Sequence, residues 1–174
     1  MDYVTARSKA SVIAAAMLAV AAALSSCGGS SSGGGELSGE VLRSVDGDTI
    51  IVRLGGHDER VRYIGIDTPE TVAPGRAVGC FGPEASHANQ QLVEGRQVRL
   101  ALDAEQRDRY GRLLAYVYVE TPSGAEQFVN AELVTRGLAI AREYPPNTLH
   151  AAQFERLAQQ ARRSGRGLWK SCRR

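Results

Sequence analysis

Lysine is nearly absent from this 174-residue chain: Lys9 and Lys170 are the only two, so almost all positive charge is arginine. A guanidinium is a rigid planar fork that matches phosphate and carboxylate oxygens better than an ammonium does. Net charge is scarce as well. Setting aside residues 1–26, which hold Arg7, Lys9 and Asp2, leaves 19 basic and 18 acidic side chains. That excludes the overall basic footprint usual in nonspecific nucleic-acid binders, so any such affinity must come from a local patch. The histidines, His57, His87 and His150, are scattered and show no zinc spacing with the cysteines. No apolar run reaches the roughly 20 residues that comfortably span a bilayer. There is no internal repeat and no sign of a second folded domain.

The longest apolar stretch, Ala10 to Leu24, follows Arg7 and Lys9 and carries no charge. This is the pattern of a secretory signal, expected over residues 1–26. Its end, Leu24-Ser25-Ser26-Cys27, resembles a bacterial lipobox, in which Cys27 becomes lipidated; the alternative is an ordinary cleaved signal with an incidental cysteine. Gly28 to Gly35 contains only Gly and Ser, a flexible coil. Residues 27–39 therefore read as a linker between a membrane anchor and a domain at 40–174. About 135 residues suffice for one core. The expected location is the cell envelope, facing outside the cytoplasm. An exported chain lives where disulfides persist. Beyond Cys27 only Cys80 and Cys172 remain, so one intramolecular pairing exists; the alternative is two free thiols.

Five strands are expected: Glu40–Val45, Thr49–Leu54, Val61–Ile66, Gln97–Asp103 and Leu113–Val119. Asp46-Gly47 reads as a two-residue hairpin loop between the first two. Pro83 suits the first turn of a helix ending near Glu94, with Gly95 beyond it. Asn130 can cap a short helix closed by Gly137. Asn147 or Thr148 can cap a longer one whose Phe154, Leu157, Ala158 and Ala161 follow helical spacing, with Gly165 as its stop. Pattern alone gives a small barrel or α+β domain.

Acids and arginines gather at the strand ends. Asp48 follows the first turn, and Asp67 ends the third strand. Two carboxylates with backbone carbonyls form an oxygen-only set that favours Ca²⁺ or Mg²⁺ over zinc. Arg62 lies inside an apolar strand, where a charge needs a partner or solvent. It is five residues from Asp67, so an ideal strand would put the two on opposite faces. Gly65 is a natural place for a bend that reunites them. Pro69 stiffens the turn that presents Glu70. Arg112 follows Gly111 at the entrance to another strand.

Three segments carry a resemblance: Ser44-Val45-Asp46-Gly47-Asp48-Thr49-Ile50, Arg62 to Thr71, and Asp108-Arg109-Tyr110-Gly111-Arg112. Together they closely resemble the thermonuclease family, the staphylococcal-nuclease-like Ca²⁺-dependent phosphodiesterases, from about Glu40 to Trp169. The resemblance implies an α+β, OB-fold five-stranded barrel with three helices. It implies Ca²⁺ held by Asp48, Asp67 and the backbone carbonyl of Thr68, with Asp46 close by. It assigns Glu70 to the attacking water and Arg62 and Arg112 to phosphate oxygens, Arg112 also to the leaving group. The implied reaction cleaves DNA and RNA at the 5′-oxygen and leaves 3′-phosphate ends. Arg109 and Tyr110 match positions that contact a terminal phosphate, Arg109 standing where a lysine is common. Tyr144-Pro145-Pro146-Asn147 resembles the nucleotide-facing loop, but Ile140 to Tyr144 is one residue shorter than the family pattern. Tyr144 therefore either stacks on a base or packs internally. A monomer is expected. The runner-up reading is a catalytically inactive nuclease-like OB-fold module that binds nucleic acid or protein. Such modules lack one or more of the site residues, whereas here the set is complete. A sugar- or peptide-binding OB barrel would need exposed aromatics on its face and has no use for arginines beside acids.

Overall fold

Gly55 and Gly56 make the first tight turn of the fold. Both have positive φ (+55° and +91°), as a two-residue hairpin loop of the right twist requires. They join strand β2 (Thr49–Leu54) to β3 (His57–Tyr63), with Leu54 opposite His57. The computed structural model that shows this describes residues 35–71 and 77–172. The signal segment, Cys27 and linker residues up to 34 lie outside the described residues, as do 72–76 in the loop after Glu70.

The hairpin expected around Asp46-Gly47 forms, with Ser44 opposite Ile50, but its loop is longer than the two residues expected. Strand β1 (Glu36–Ser44) is joined to β2 through residues 45–48, and Gly47 does not have a positive φ. Its bare backbone serves a different purpose. A Cβ there would lie 2.6 Å from Thr68 Oγ1, so glycine lets the Thr68 loop close onto the turn. The third strand is corrected too. It starts at His57 rather than Val61, because its exposed polar half pairs with β2. It stops at Tyr63 because Gly65, at φ +79°, turns the chain.

After that bend, the short β4 (Ile66–Asp67) pairs with β8 (Ile140–Ala141) outside the main sheet. Strands β5 (Gln97–Ala101), β6 (Leu113–Glu120) and β7 (Glu126–Phe128) extend the main sheet in the order β3-β2-β1-β5-β6-β7. A parallel pairing of β3 with β6, Val61 opposite Leu113 through Tyr63 opposite Ala115, closes five of the strands into a barrel. Val41, Ile50, Val52, Val61, Leu100 and Val117 fill it, all fully buried, each such side chain contributing about 1.5–3 kcal/mol. This is the α+β OB architecture.

Helix α1 (Gly82–Val93) starts with Pro83 in its first turn. Helices α2 (Val129–Thr135) and α3 (Ala151–Arg163) follow the barrel, and a short extra turn, α4 (Leu168–Ser171), carries Trp169. Helix α3 buries Phe154, Ala158 and Ala161. The expected asparagine caps are corrected: neither α2 nor α3 has a side-chain cap. Asn130 sits inside α2, fully buried. Its amide donates to the Ile64 carbonyl at 2.9 Å and accepts the Val117 N–H at 2.9 Å, tying helix to barrel. Asn147 accepts the Glu105 N–H and donates to the Glu105 carbonyl, both at 2.7 Å. The groups Asn130 satisfies are buried and would otherwise cost about 1–3 kcal/mol. Cys80 and Cys172 are bonded, with Cα atoms 5.8 Å apart. Among the described residues no helix is long and apolar enough to cross a membrane.

Candidate active site

The bend at Gly65 decides the geometry. Its positive φ suits glycine, and a Cβ there would lie 2.5 Å from Phe154 Cε2. Glycine is thus required both by conformation and by space. The bend swings Asp67 round to the side of β3 that carries Arg62. Arg62 Nη2 donates to Asp67 Oδ1 at 2.7 Å, to the Ile66 carbonyl at 3.3 Å and to the Tyr144 hydroxyl at 3.3 Å. Its Nη1 pairs with the Asp48 carboxylate. With only 11% of its side chain exposed, Arg62 is a largely desolvated charge that two carboxylates neutralise.

Asp48 is buried between the turn and the loop that follows β4. Its Oδ2 accepts the Thr68 N–H at 2.7 Å and the Thr68 hydroxyl at 3.0 Å. The Asp48 N–H in turn donates to Asp46 Oδ1 at 3.1 Å. Burial, first of all, pushes the Asp46 carboxyl above its ordinary range, against the Thr49 hydrogen bond and the charge of Arg62. Among the described residues no group of three or more His, Cys, Asp or Glu side chains is arranged to hold a metal. The donor chemistry nonetheless fits a hard cation. Asp48, Asp67 and the Thr68 carbonyl offer oxygen alone, with the Asp46 carboxylate beside them.

Glu70 stands past Pro69 on the same side of the cleft, its carboxylate accepting the Thr71 N–H at 3.0 Å. Arg112 enters β6 from a turn built by Asp108. Asp108 Oδ1 accepts the N–H groups of Tyr110 and Arg112 at 2.9 and 3.0 Å, and Oδ2 accepts Arg112 Nε at 2.7 Å. Burial opposes ionisation of Asp108, but these bonds outweigh it and hold the carboxyl below its usual range. Arg112 is thereby aimed across the cleft. Asp48, Arg62, Asp67, Thr68, Glu70 and Arg112 all line one cleft of about 630 Å³.

The staphylococcal nuclease homologue family matches residues 60–171 of this chain. The chain belongs to that family. It is 43% identical over 129 residues to a thermonuclease of Staphylococcus intermedius, covering 74% of each chain. It is 41% identical over 134 residues to a thermonuclease of Staphylococcus hyicus, covering 77% of this chain and 76% of the relative. Endonuclease YncB of Bacillus subtilis is 42% identical over 129 residues, 73% of this chain and 59% of the relative.

In this staphylococcal nuclease homologue the rim of the cleft holds the remaining expected residues. Arg109 donates to the Tyr110 hydroxyl at 2.7 Å and lies over its ring, 4.8 Å from the centroid. Tyr110 is well exposed, so its ring is open to solvent. Tyr144 faces inward through its hydroxyl to Arg62. Cys27 lies outside the described residues.

Sequence reasoning missed three residues here. Asp108 orients Arg112, and the signal was present: an Asp opening Asp-Arg-Tyr-Gly bonds the backbone two residues on, the usual Asx turn. Arg142 donates to Asp67 Oδ2 at 2.8 Å and lies 5.4 Å from the Tyr144 ring centroid. Nothing in the local pattern marks it, because the pairing of β4 with β8 brings it there. Asn147 fixes the Glu105 backbone beside the cleft, again across a long sequence gap.

Proposed function

We propose that this phosphodiester hydrolase of the staphylococcal nuclease family is a Ca²⁺-dependent nuclease that cleaves both DNA and RNA at the 5′-oxygen, outside the cytoplasm. The observation that carries the reading is the convergence of two arginines and three carboxylates on one cleft. Bound by Asp48, Asp67 and the Thr68 carbonyl, Ca²⁺ would supply Lewis acidity at a phosphate oxygen and help position water.

The protein's own side chains do the rest. Glu70, held by its turn, accepts a proton from the attacking water as the new P–O bond forms. Negative charge then gathers on the phosphoryl oxygens. Arg62 and Arg112 oppose it, already oriented by Asp67, Asp48 and Asp108, so little reorganisation is needed. The P–O5′ bond breaks, and the leaving 5′-oxygen departs beside Arg112. Arg109 and Tyr110 bind a neighbouring phosphate at the rim, and Tyr144 presents a ring edge to the nucleotide. Cys27 is proposed to carry a lipid that holds the domain at the envelope.

The test is hydrolysis of DNA and RNA by the purified protein, with Ca²⁺ and with a chelator in its place. Cleavage of both polymers with Ca²⁺ and none with chelator is expected, and end analysis should show 3′-phosphates. Binding of DNA without cleavage at saturating Ca²⁺ would instead make the protein a binding module.

A further inference from the structure

The loop after Glu70 re-enters the described chain at residue 77 and runs back against the turn it left. The Gly79 N–H donates to the Glu70 carbonyl at 2.7 Å, and the Gly82 N–H donates to the Gly79 carbonyl at 2.9 Å. The approach leaves no room for side chains. A Cβ on Gly79 would lie 2.8 Å from Pro69 Cβ and 3.0 Å from the Glu70 nitrogen. One on Gly82 would lie 2.8 Å from Thr71 Cγ2 and 3.0 Å from the Glu70 carbonyl oxygen. Two glycines thus let Gly79 to Gly82 press directly on the turn Pro69-Glu70-Thr71.

Between those glycines sits Cys80, bonded to Cys172. Phe81 follows, at φ +68°, a left-handed conformation that persists in a bulky residue only where its surroundings over-determine it. Its ring packs on the core, helix α1 begins at the next residue, and the bridge holds the other side. The far end of the bridge is itself anchored. The Cys172 N–H donates to the Leu168 carbonyl, and the Leu168 N–H to the Gly137 carbonyl, both at 2.9 Å. A continuous path therefore runs from the end of α2 through α4, Cys172, Cys80 and Gly79 to the Glu70 backbone. Asp48, Arg62 and Arg112 take their positions from barrel strands and turns instead.

We infer that the Cys80–Cys172 bridge is a positioning device for Glu70, setting where its carboxylate stands in the cleft. The inference rests on the reading of Glu70 as the group that takes the water's proton. A bridge that only stabilises would lower the melting temperature when removed and leave turnover of the folded protein alone. Loss of a positioning bridge lowers turnover of the folded protein, and only through Glu70. Misplacing a reacting group by about 1 Å can cost up to 10²-fold.

The experiment compares wild type, Cys80→Ser/Cys172→Ser and Gly79→Ala, each alone and combined with Glu70→Gln, at a temperature where circular dichroism shows all to be folded. In the wild-type background, each change is expected to lower kcat by about tenfold or more. KM and the Ca²⁺ concentration for half-maximal rate should stay within about twofold, since Asp48, Asp67 and Arg62 are set by other segments and Thr68 is fastened to Asp48 through its own N–H and hydroxyl. In the Glu70→Gln background, the same changes should alter kcat by less than about twofold, because their effect passes through a group already lost. Unchanged kcat in the folded bridge-free protein overturns the inference, as does an equal fold-loss in both backgrounds. Should the double serine variant fail to fold, the wild-type protein with its bridge reduced and both thiols alkylated under native conditions decides between the same outcomes. Near-wild-type turnover in Glu70→Gln alone would instead overturn the reading of Glu70 and this inference with it. A silent bridge beside a dead Glu70→Gln protein sinks the inference alone.

Discussion

At Arg62, one guanidinium spans two carboxylates, one of which, Asp67, strand parity alone would set on the opposite face from it. Removing it leaves Asp48 as a buried, uncompensated charge, a change that typically costs 3–5 kcal/mol of stability. Arg62→Ala therefore confounds folding with catalysis. Glu70 and Arg112 are cleaner probes, being partly exposed and outside the hydrophobic core. Glu70→Gln and Arg112→Ala should each lower kcat by roughly 10²–10³, the size of one lost acid–base or oxyanion contact. Asp48→Ala should act differently, raising the Ca²⁺ concentration for half-maximal rate as well as slowing turnover. Parallel Ca²⁺ titrations and rate measurements on the folded variants separate the two patterns. Near-wild-type turnover in Arg112→Ala would leave the enzyme standing and remove Arg112 from its site.

Among the elements, the turn at Gly65 matters most to the site. Alanine there meets both a positive φ and the Phe154 ring. A left-handed alanine costs about 1 kcal/mol and overpacking about 1–3 more. Gly65→Ala should lower the melting temperature by several degrees and also abolish most activity, since Asp67 moves with the bend. Calorimetry beside a rate assay checks it; a destabilised variant with full turnover would show that Asp67 need not stand where this bend puts it. That bend was legible in the sequence, because five-residue parity demanded a kink and Gly65 was the residue to make it. The barrel strands β2, β5 and β6 were legible from alternation and β-branched content. What misled was local chemistry overridden from a distance. Asp46-Gly47 signals the β1–β2 hairpin correctly but not its loop: the glycine is needed for Thr68, and the tight two-residue turn follows β2. The polar start of β3 has no apolar alternation to reveal it. Asn130 and Asn147 look like caps because caps are the commonest local use of asparagine, and only the folded chain shows which distant backbone groups they satisfy. Arg142 was invisible for the same reason.

At the scale of the whole molecule, the lipid anchor proposed at Cys27 would separate anchoring from the chemistry of the barrel. Cys27→Ser should release the protein from membranes or block its processing, while leaving the specific activity of the purified protein intact. Fractionation with an activity assay tests it: a processed serine variant that still sediments with membranes rules the lipid anchor out. The barrel itself closes along a short edge, from Val61 with Leu113 to Tyr63 with Ala115, and its middle pair is Arg62 with Leu114. The arginine proposed to steady the phosphate is therefore also a rivet in the last joint of the cylinder. Short parallel edges are the places where a sheet breathes first. Were this seam to part, Arg62 would stay with Asp48 and Asp67 on the β3 side, while Arg112 at the head of β6 would draw away from them. Warming should thus silence the nuclease by reversible gaping before it melts, and cooling should restore it without refolding.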